Sequence, residues 1–569
     1  MSHKKSKLTA INRGKEKKEK NRTSLRTDIL IIALILLIAL SIRYVSLGDI
    51  GATTDEPIYL IAGVDYVYGI QHLDLSDRLW QVNMEHPPIS KYIYGIAVWL
   101  TQGTGAYTYD AIMTAKTASM LMGALTCVVV YLIGRDFFNR MTGLAAGLIL
   151  ALVPEFIAHT QTITLESPLI LLVSLTMYVF MLSLKHAKTG HYVAVAGLFG
   201  LVLGTKFNGL LILPVMALVF LMYRLARVRE RTGKLDREIV VKNIGYIFPL
   251  AGIVMFVAIA AMVFVAIWPW LWTDPAGHMA RSLDHWTYTV QEYFLGVEQS
   301  PPLYYYPAYF IVTLPVLLFL PLALGAVETV KSRDAFKIGV LIWFVIPFAY
   351  NFSDVIMGGM RYVMLIYPAV ALLCGYGICR LAGVAGKWLG KYRLTDRQVF
   401  YGLTGITGIY LLVTAALVSP YYLDYYNAVA GGPQNVQEHK LFLFSWWGEG
   451  ISESMEWVDN NARPGSTVMM LVEPEDPANT GFFTGSMRYI YPWMSKTNGA
   501  NKAYNFTAEP YMIPTDNGSI AVVPDYVVFN AEITYQLDIT FNDTAYDLVY
   551  TPVVEGAPLV YVYMNRNAG

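Results

Sequence analysis

Long apolar runs recur along the first three quarters of this chain and constrain its fold more than any other feature. The runs lie at roughly 29–47, 109–134, 141–158, 166–184, 191–205, 208–223, 245–270, 306–327, 336–350, 360–382 and 400–418. A helix needs about 20 apolar residues to cross a bilayer. Only 15% of the residues are charged, against about 25% in soluble domains. The sequence therefore predicts a polytopic α-helical membrane protein with about eleven transmembrane helices.

Basic residues concentrate in alternate loops and predict the orientation. They occupy the N-terminal tail and the loops at 135–140, 185–188, 224–242, 331–337 and 387–397. Lys and Arg mark the cytoplasmic side of a membrane protein. We therefore expect a multi-pass protein of the cell membrane with a cytoplasmic N-terminus and a retained first helix.

The chain divides into three predicted regions. Residues 1–27 form a cytoplasmic basic tail, and residues 28–419 form the transmembrane domain, whose first external loop, 49–108, contains amphipathic helices. Residues 420–569 are more polar, and "SESMEWVDNNARPGSTVMMLVEP", "PDYVVFNA" and "PLVYVYMN" have the patterns of a helix and of strands. We predict a small C-terminal extracytoplasmic α/β domain. The three cysteines lie in apolar runs and imply no disulfide framework.

The charged side chains of the predicted external loops lie close to membrane boundaries. They are Asp55 and Glu56 in "TTDEP", Glu85, His86 and Lys91 in "NMEHPPISKY", His159 and Glu166 in "HTQTITLESP", Lys206 in "GTKFNG" and Arg361 in "GGMRY". Because all of these stretches reach the same interface, the side chains can converge there.

Each cluster also has a purely structural explanation. Thr53 and Glu56 match a helix capping box, and Glu166 can compensate a helix dipole. His86 precedes two prolines that fix a turn. Lys206 and Arg361 can extend to lipid headgroups. Taken one residue at a time, these explanations compete evenly with a functional one.

Together, the acids, the histidine and the cations suggest a site that moves a phosphate-linked group. A carboxylate can take a proton from an acceptor hydroxyl. Cations, or a divalent metal held by acids such as Asp55 and Glu166, can stabilise a phosphate leaving group. No cofactor is certain from the sequence, and a divalent metal is one option.

Several motifs resemble the GT-C glycosyltransferases. "DEP", "EHPPISK" and "TLESPL", with "MGGMRYVMLIYPAVAL" and "YYLDYYNAVAGGPQN", are similar to stretches of the protein O-mannosyltransferase and aminoarabinose-transferase type. Some of these stretches also resemble prokaryotic members, among which an archaeal origin is one option, and the likeness covers roughly residues 28–450. The HPP-x-x-K motif is fairly specific, whereas the DE pair alone is weak.

This resemblance implies a GT-C-like catalytic domain over 28–419 and an inverting transfer at the outer membrane face. The donor would be a hexose such as mannose, or a pentose, on polyprenyl or dolichyl phosphate. The acceptor would be a hydroxyl on a protein, glycan or lipid. The matching positions make Asp55 the general base beside Glu56, and Glu166 stands where relatives usually have Asp.

The resemblance also places further residues near the donor and acceptor. His86 and Lys91 match positions close to both substrates. Independently of the resemblance, Lys206 and Arg361 lie at external helix boundaries and are expected to face the lipid-linked phosphate, and Glu85 is a further expected binding residue. Lys116 stands where an Arg is expected. Partners would be the lipid-linked sugar, the acceptor and membrane lipids, with no nucleic acid.

Two other classes of protein remain open. A lipid or solute transporter or flippase would show internal repeats and midplane charges, whereas here the charges lie at one face. An inactive membrane scaffold with an external binding domain is the third reading.

Overall fold

The molecule is a bundle of long apolar helices followed by a small region of strands. The computed structural model describes residues 25–103, 108–284, 291–348, 358–463, 465–470, 505–507, 512–515, 518–521, 524–532 and 545–567. The helices are α1 Leu25–Ser46, α2 Glu56–His72, α3 Asp77–Trp80, α4 Ile89–Gln102, α5 Tyr109–Phe137, α6 Arg140–Leu152, α7 Pro154–Gln161, α8 Glu166–His186, α9 Thr189–Leu203, α10 Ile212–Thr232, α11 Arg237–Lys242, α12 Ile244–Ile247, α13 Leu250–Ala266, α14 Pro275–Asp284, α15 Tyr305–Thr313, α16 Phe319–Ser332, α17 Ala335–Val345, α18 Tyr367–Leu389, α19 Asp396–Val418, α20 Gly432–Glu438 and α21 Ile451–Asn461. The strands are β1 Glu292–Phe294, β2 Val297–Gln299, β3 Thr467–Met470, β4 Asn505–Thr507, β5 Met512–Thr515, β6 Gly518–Ala521, β7 Tyr526–Asn530, β8 Tyr546–Tyr550, β9 Val553–Val554, β10 Ala557–Pro558 and β11 Val560–Asn565.

The predicted polytopic membrane fold is confirmed, although its count of eleven spans is not. Among the described residues, seven helical segments are long and apolar enough to cross a membrane, and two bent pairs raise the number to nine. The two other predicted runs coincide with shorter apolar helices, Thr189–Leu203 and Ala335–Phe348. Length and composition alone therefore support seven to nine spans.

Two predicted continuous spans are broken by bends next to prolines. The axes of α6 and α7 differ by 64°, and those of α15 and the following Val316–Ser332 segment by 105°. Pro154 begins α7 and Pro315 precedes the second segment, and proline has no backbone N–H to continue a helical ladder. Buried Arg43 of α1 donates to the Ala151 carbonyl over 3.2 Å, so a cation stabilises the C-terminal end of α6.

The first loop folds into two closely packed helices, α2 and α4. A Cβ atom on Gly95 would overlap the backbone carbonyl of Gly63, so the two helices touch through their backbones. Helix α4 is amphipathic, whereas α2 is buried on most of its circumference. This packing fixes the position of the chain just before α2.

Basic residues gather at the end of the bundle where α1 begins. Arg140 and Arg135 lie 2.8 and 3.5 Å from the carboxylate of Asp28, and Tyr131 donates to the same carboxylate over 2.5 Å. We call this the basic end of the bundle. The candidate site lies at the opposite end.

A mixed five-stranded sheet forms the C-terminal part, with strand order β4-β3-β7-β11-β8. Strand β3 is parallel to β4 and β7, whereas β11 is antiparallel to β7 and β8. The helix and three of the strands appear where the sequence predicts them, as α21, β3, β7 and β11. The predicted α/β character of this part is thereby confirmed.

Candidate active site

The two neighbouring acids at the start of α2 have different surroundings. Both oxygens of Glu56 accept backbone N–H groups over 2.6 Å, one from Thr53 and one from Ile163. Its carboxylate is fully buried 3.3 Å from the Lys116 ammonium. Burial raises the pKa of Glu56, and the nearby Lys116 charge opposes that rise. Glu56 therefore ties the start of α2 to the segment before α8.

Asp55 lies outside this buried pair and makes no side-chain cap of α2. Asp55 is the N-cap residue of α2 through its backbone, while its side chain is left to contact other groups. Its carboxylate lies 2.7 Å from Nη1 of Arg361 and accepts a 3.2 Å hydrogen bond from the Tyr59 hydroxyl. Burial raises the pKa of Tyr59 well above its usual value, so this hydroxyl stays protonated and donates.

Arg361 lies at the centre of the site and uses three different nitrogens. Nη1 contacts Asp55, Nη2 donates to the Tyr59 hydroxyl over 2.5 Å, and Nε lies 3.4 Å from the Glu166 carboxylate. The preceding Gly359 has a backbone φ of 55°, a conformation that favours glycine. The "GGMRY" stretch therefore turns tightly enough to bring Arg361 to the acids.

Glu166 and Lys206 form a buried ion pair behind Arg361. The Lys206 ammonium contacts the Glu166 carboxylate and lies 4.1 Å from the centre of the Tyr362 ring. Glu166 is fully buried and Lys206 is 1% exposed, whereas the Asp55 side chain is 25% exposed. Two cations and two acids therefore balance in charge, and Asp55 is the most accessible of these four groups.

Glu85, His86 and Lys91, the three predicted residues between α3 and α4, lie beside this cluster rather than in it. The His86 and Tyr59 rings are 6.4 Å apart in an edge-to-face arrangement. Fully buried Lys91 donates to the backbone carbonyls of Asn83 and His86 over 2.6 Å, and Glu85 accepts from the Asn83 amide. Burial lowers the pKa of Lys91 to about 7. Lys91 thus holds the loop that carries His86.

Sequence reasoning missed Trp447, which covers the cluster from the C-terminal part of the chain. The Trp447 ring centre lies 4.6 Å from the Arg361 guanidinium carbon and 5.7 Å from the His159 ring. The only signal in the sequence is the pair of tryptophans in "SWWGEG". Nothing in its local pattern connects that stretch with "TTDEP".

The positions of the acids do not fit a metal site. Asp55 and Glu166 both face Arg361, so a guanidinium provides the positive charge between them. Within the described parts of the chain, no three His, Cys, Asp or Glu side chains converge as metal ligands. We therefore derive no step through a metal.

The fold and the site define a multi-pass membrane protein with a compact ionic cluster at one end of its helices. Residues 85–270 match the family model described as dolichyl-phosphate-mannose-protein mannosyltransferase. The match covers about a third of the 569 residues and includes Glu166 and Lys206, but neither Asp55 nor Arg361. It confirms the resemblance to polyprenyl-phosphate-sugar glycosyltransferases that the motifs indicate. No curated protein matches the chain significantly.

Three solved structures are similar to this chain at low sequence identity. ArnT from Cupriavidus metallidurans in the apo state is 16% identical, with 93% of this chain and 97% of that chain covered and a TM-score of 0.47. AglB, an archaeal oligosaccharyltransferase from Archaeoglobus fulgidus, is 14% identical over 95% of this chain and 74% of that chain, with a TM-score of 0.49. The Pmt1-Pmt2 protein O-mannosyltransferase complex of S. cerevisiae is 16% identical over 46% and 34%, with a TM-score of 0.33.

Proposed function

We propose that this chain is a membrane glycosyltransferase that moves a sugar from a polyprenyl- or dolichyl-phosphate donor to an acceptor hydroxyl at the outer face of the membrane. One observation carries the proposal: a partly exposed carboxylate, Asp55, lies beside a buried pair of cations, Arg361 and Lys206. The family model matched by residues 85–270 supports the class of donor.

In this proposal Asp55 is the general base. The acceptor O–H gives its proton to the Asp55 carboxylate while the acceptor oxygen bonds to the anomeric carbon of the sugar. The bond between that carbon and the phosphate oxygen breaks, and its electron pair stays on the lipid phosphate. A single displacement of this kind inverts the anomeric configuration. The exposure of Asp55, together with the burial of Glu56 and Glu166, favours Asp55 over the other two acids.

Arg361 and Lys206 are the proposed phosphate-binding residues. The leaving phosphate gains negative charge as the sugar departs, and preorganised cations stabilise such charge most effectively where water is excluded. Arg361 is 8% exposed and Lys206 is 1% exposed, so both are largely shielded from solvent. Glu166 holds both cations in place and is therefore a positioning residue rather than a second base. His86 lies next to Tyr59 at the margin of the cluster and is proposed to contact substrate there.

A turnover assay of the purified chain in lipid nanodiscs tests the proposal. The donor is dolichyl-phosphate-mannose, with a polyprenyl-phosphate pentose as the second sugar and a pool of hydroxyl-bearing peptides and glycans as acceptors. Asp55→Asn should lose on the order of a hundredfold or more in turnover, because a positioned base contributes about 10²–10⁴-fold, while donor binding is retained. Asp74→Asn, in the partly exposed turn between α2 and α3, is the matched control and should keep its activity.

Two results would contradict parts of the proposal. Near-normal turnover of Asp55→Asn would reject Asp55 as the general base and direct the search to Glu166. Movement of donor lipid across the membrane of sealed vesicles, without any transfer of its sugar, would favour the transporter reading.

A further inference from the structure

A loop of the C-terminal part reaches into the proposed active site. We call residues 445–450 the Trp loop. The backbone carbonyl of Trp447 accepts hydrogen bonds from the Thr54 N–H over 2.9 Å and from the Thr54 hydroxyl over 3.0 Å. Thr54 directly precedes Asp55, so one residue of the loop contacts both the segment of the proposed base and, through its ring, Arg361.

The Trp loop is itself held firmly at several points. The Ser445 N–H donates to Asp424 over 2.7 Å, and the Trp447 N–H donates to the Glu449 carboxylate over 2.9 Å. The side chain of Asn530, at the end of β7, donates to the Ser445 carbonyl over 2.8 Å. The loop is therefore anchored to the C-terminal sheet on one side and to the ionic cluster on the other.

We propose that Trp447 is a positioning residue that fixes Arg361 and Asp55 relative to each other, an inference that rests on the function proposed above. Nη1 and Nη2 of Arg361 contact Asp55 and Tyr59, Nε lies 3.4 Å from the Glu166 carboxylate, and these three partners surround the edges of the group. The indole covers one face of the guanidinium, a contact that attracts a cation electrostatically. The carbonyl of Trp447 holds Thr54, so the ring and the backbone of a single residue set the distance between base and phosphate cation.

This role makes the C-terminal part necessary for chemistry. Without the indole, Arg361 loses the contact with its face while keeping the contacts at its edges. Its position then varies, and the phosphate and the acceptor hydroxyl no longer meet a fixed pair of groups. A misplacement of about 1 Å is enough to cost on the order of a hundredfold in rate.

Turnover measurements with Trp447→Phe and Trp447→Ala test the role. Trp447→Ala should lower kcat at saturating donor on the order of tenfold to a hundredfold, and Trp447→Phe should recover part of the loss, because a smaller aromatic face remains. In an Arg361→Lys background the further loss caused by Trp447→Ala should shrink to about twofold or less. A merely structural role would instead multiply the two losses. Trp457→Ala, which removes a tryptophan stacked on Tyr550 in the same part of the chain, is the matched control and should keep the normal kcat.

Hydrogen exchange of the peptide containing residues 51–60, measured without donor, separates this inference from the proposed function. Trp447→Ala should raise exchange in that peptide, while Trp457→Ala should not. Unchanged exchange together with unchanged kcat would overturn the positioning role. If the wild-type chain turns over neither donor, the proposed function fails, and the exchange result alone decides whether Trp447 positions Thr54 and Asp55.

Discussion

Adjacent residues of one sequence can have unrelated roles, and Asp55 and Glu56 show how burial separates them. Glu56 accepts two backbone N–H groups and faces Lys116 in a site without solvent. Glu56→Gln would leave the Lys116 ammonium buried without its partner charge. Removing one member of a buried ion pair costs about 3–5 kcal/mol. We expect Glu56→Gln to lower the thermal stability of the detergent-solubilised protein strongly.

A second substitution distinguishes this structural role of Glu56 from a catalytic one. Glu56→Gln combined with Lys116→Met removes both charges and should regain part of the lost stability, together with part of any lost turnover. If Glu56→Gln instead kept its full stability and lost only turnover, the assignment of the base would move from Asp55 to Glu56.

Arg361 is the residue whose replacement should affect the donor most directly. A hydrogen bond to a charged group contributes about 1.5–3 kcal/mol, so Arg361→Ala should weaken donor use on the order of tenfold to a hundredfold. Arg361→Lys should recover only a fraction, because an ammonium cannot reproduce the separate contacts to Asp55, Tyr59 and Glu166. Donor KM and kcat measured on folded variants test this prediction.

The matched control for Arg361 is an arginine at an exposed position. Arg380→Ala removes a side chain that is 53% exposed and pairs with Glu328, and it should leave donor kinetics unchanged. Unchanged kinetics in a folded Arg361→Ala variant would contradict the phosphate-binding role.

At the scale of single elements, the Trp loop depends on two buried acids. Burial raises the pKa of both Asp424 and Glu449, and repulsion from Glu449 and Glu155 adds to the rise for Asp424. The charge of Glu56 adds to the rise for Glu449. Asp424 Oδ2 and Glu449 Oε1 have no hydrogen-bond partner within the described residues. We call the Trp loop closed when it packs as in this structure and open when it has unfolded away from these acids. The closed loop therefore keeps both acids protonated to higher pH than an open loop would.

The sign of the pH dependence follows from these raised pKa values. Above the ordinary carboxyl pKa of about 4, an open loop releases protons that the closed loop retains, so the stability of the closed loop falls as pH rises. Hydrogen exchange of residues 441–450, corrected for its intrinsic pH dependence, should increase from pH 5 upwards. Glu449→Gln should flatten this increase, while Glu438→Gln, at an exposed position of α20, should not. Protection that grows with pH would contradict the prediction.

The elements also show what could be predicted from the sequence and what could not. Apolar length located the membrane helices because a bilayer imposes that length locally. Pro154 and Pro315 mark the two bends in the sequence. Apolar length alone nevertheless predicts one continuous span through each of them. The sequence pattern predicts which charged residues lie at the end of the bundle that holds the candidate site. It does not predict which of them form ion pairs with one another. The Lys116–Glu56 pair and the Trp447–Thr54 contact join residues distant in sequence, and no local pattern encodes such contacts.

At the scale of the whole molecule, the helices and the C-terminal part form one structure rather than two loosely tethered ones. Asn427 donates to the carbonyls of Ile311 and Leu314 at the end of α15 over 2.7 Å, and the Tyr309 hydroxyl accepts from the Leu443 N–H over 3.0 Å. The segment that follows α19 thus packs against the bend between α15 and the Val316–Ser332 segment. The predicted domain boundary at 419–420 stays a prediction. These contacts explain how a C-terminal loop is held firmly enough to complete a site between helices.

The last prediction concerns the orientation of the whole molecule in its membrane. Arg135 and Arg140 lie at the basic end, and Lys and Arg favour the cytoplasmic side. The ionic cluster and the C-terminal sheet should therefore face outwards. Asn461→Cys, at the exposed end of α21, should react with a membrane-impermeant thiol reagent in intact cells. Lys234→Cys, whose native side chain is 64% exposed in the basic loop after α10, should react only after lysis. The native cysteines are buried or partly buried, so the unmodified chain measures the background. Labelling of position 234 in intact cells, with position 461 protected until lysis, would place the proposed active site in the cytoplasm and contradict transfer at the outer face.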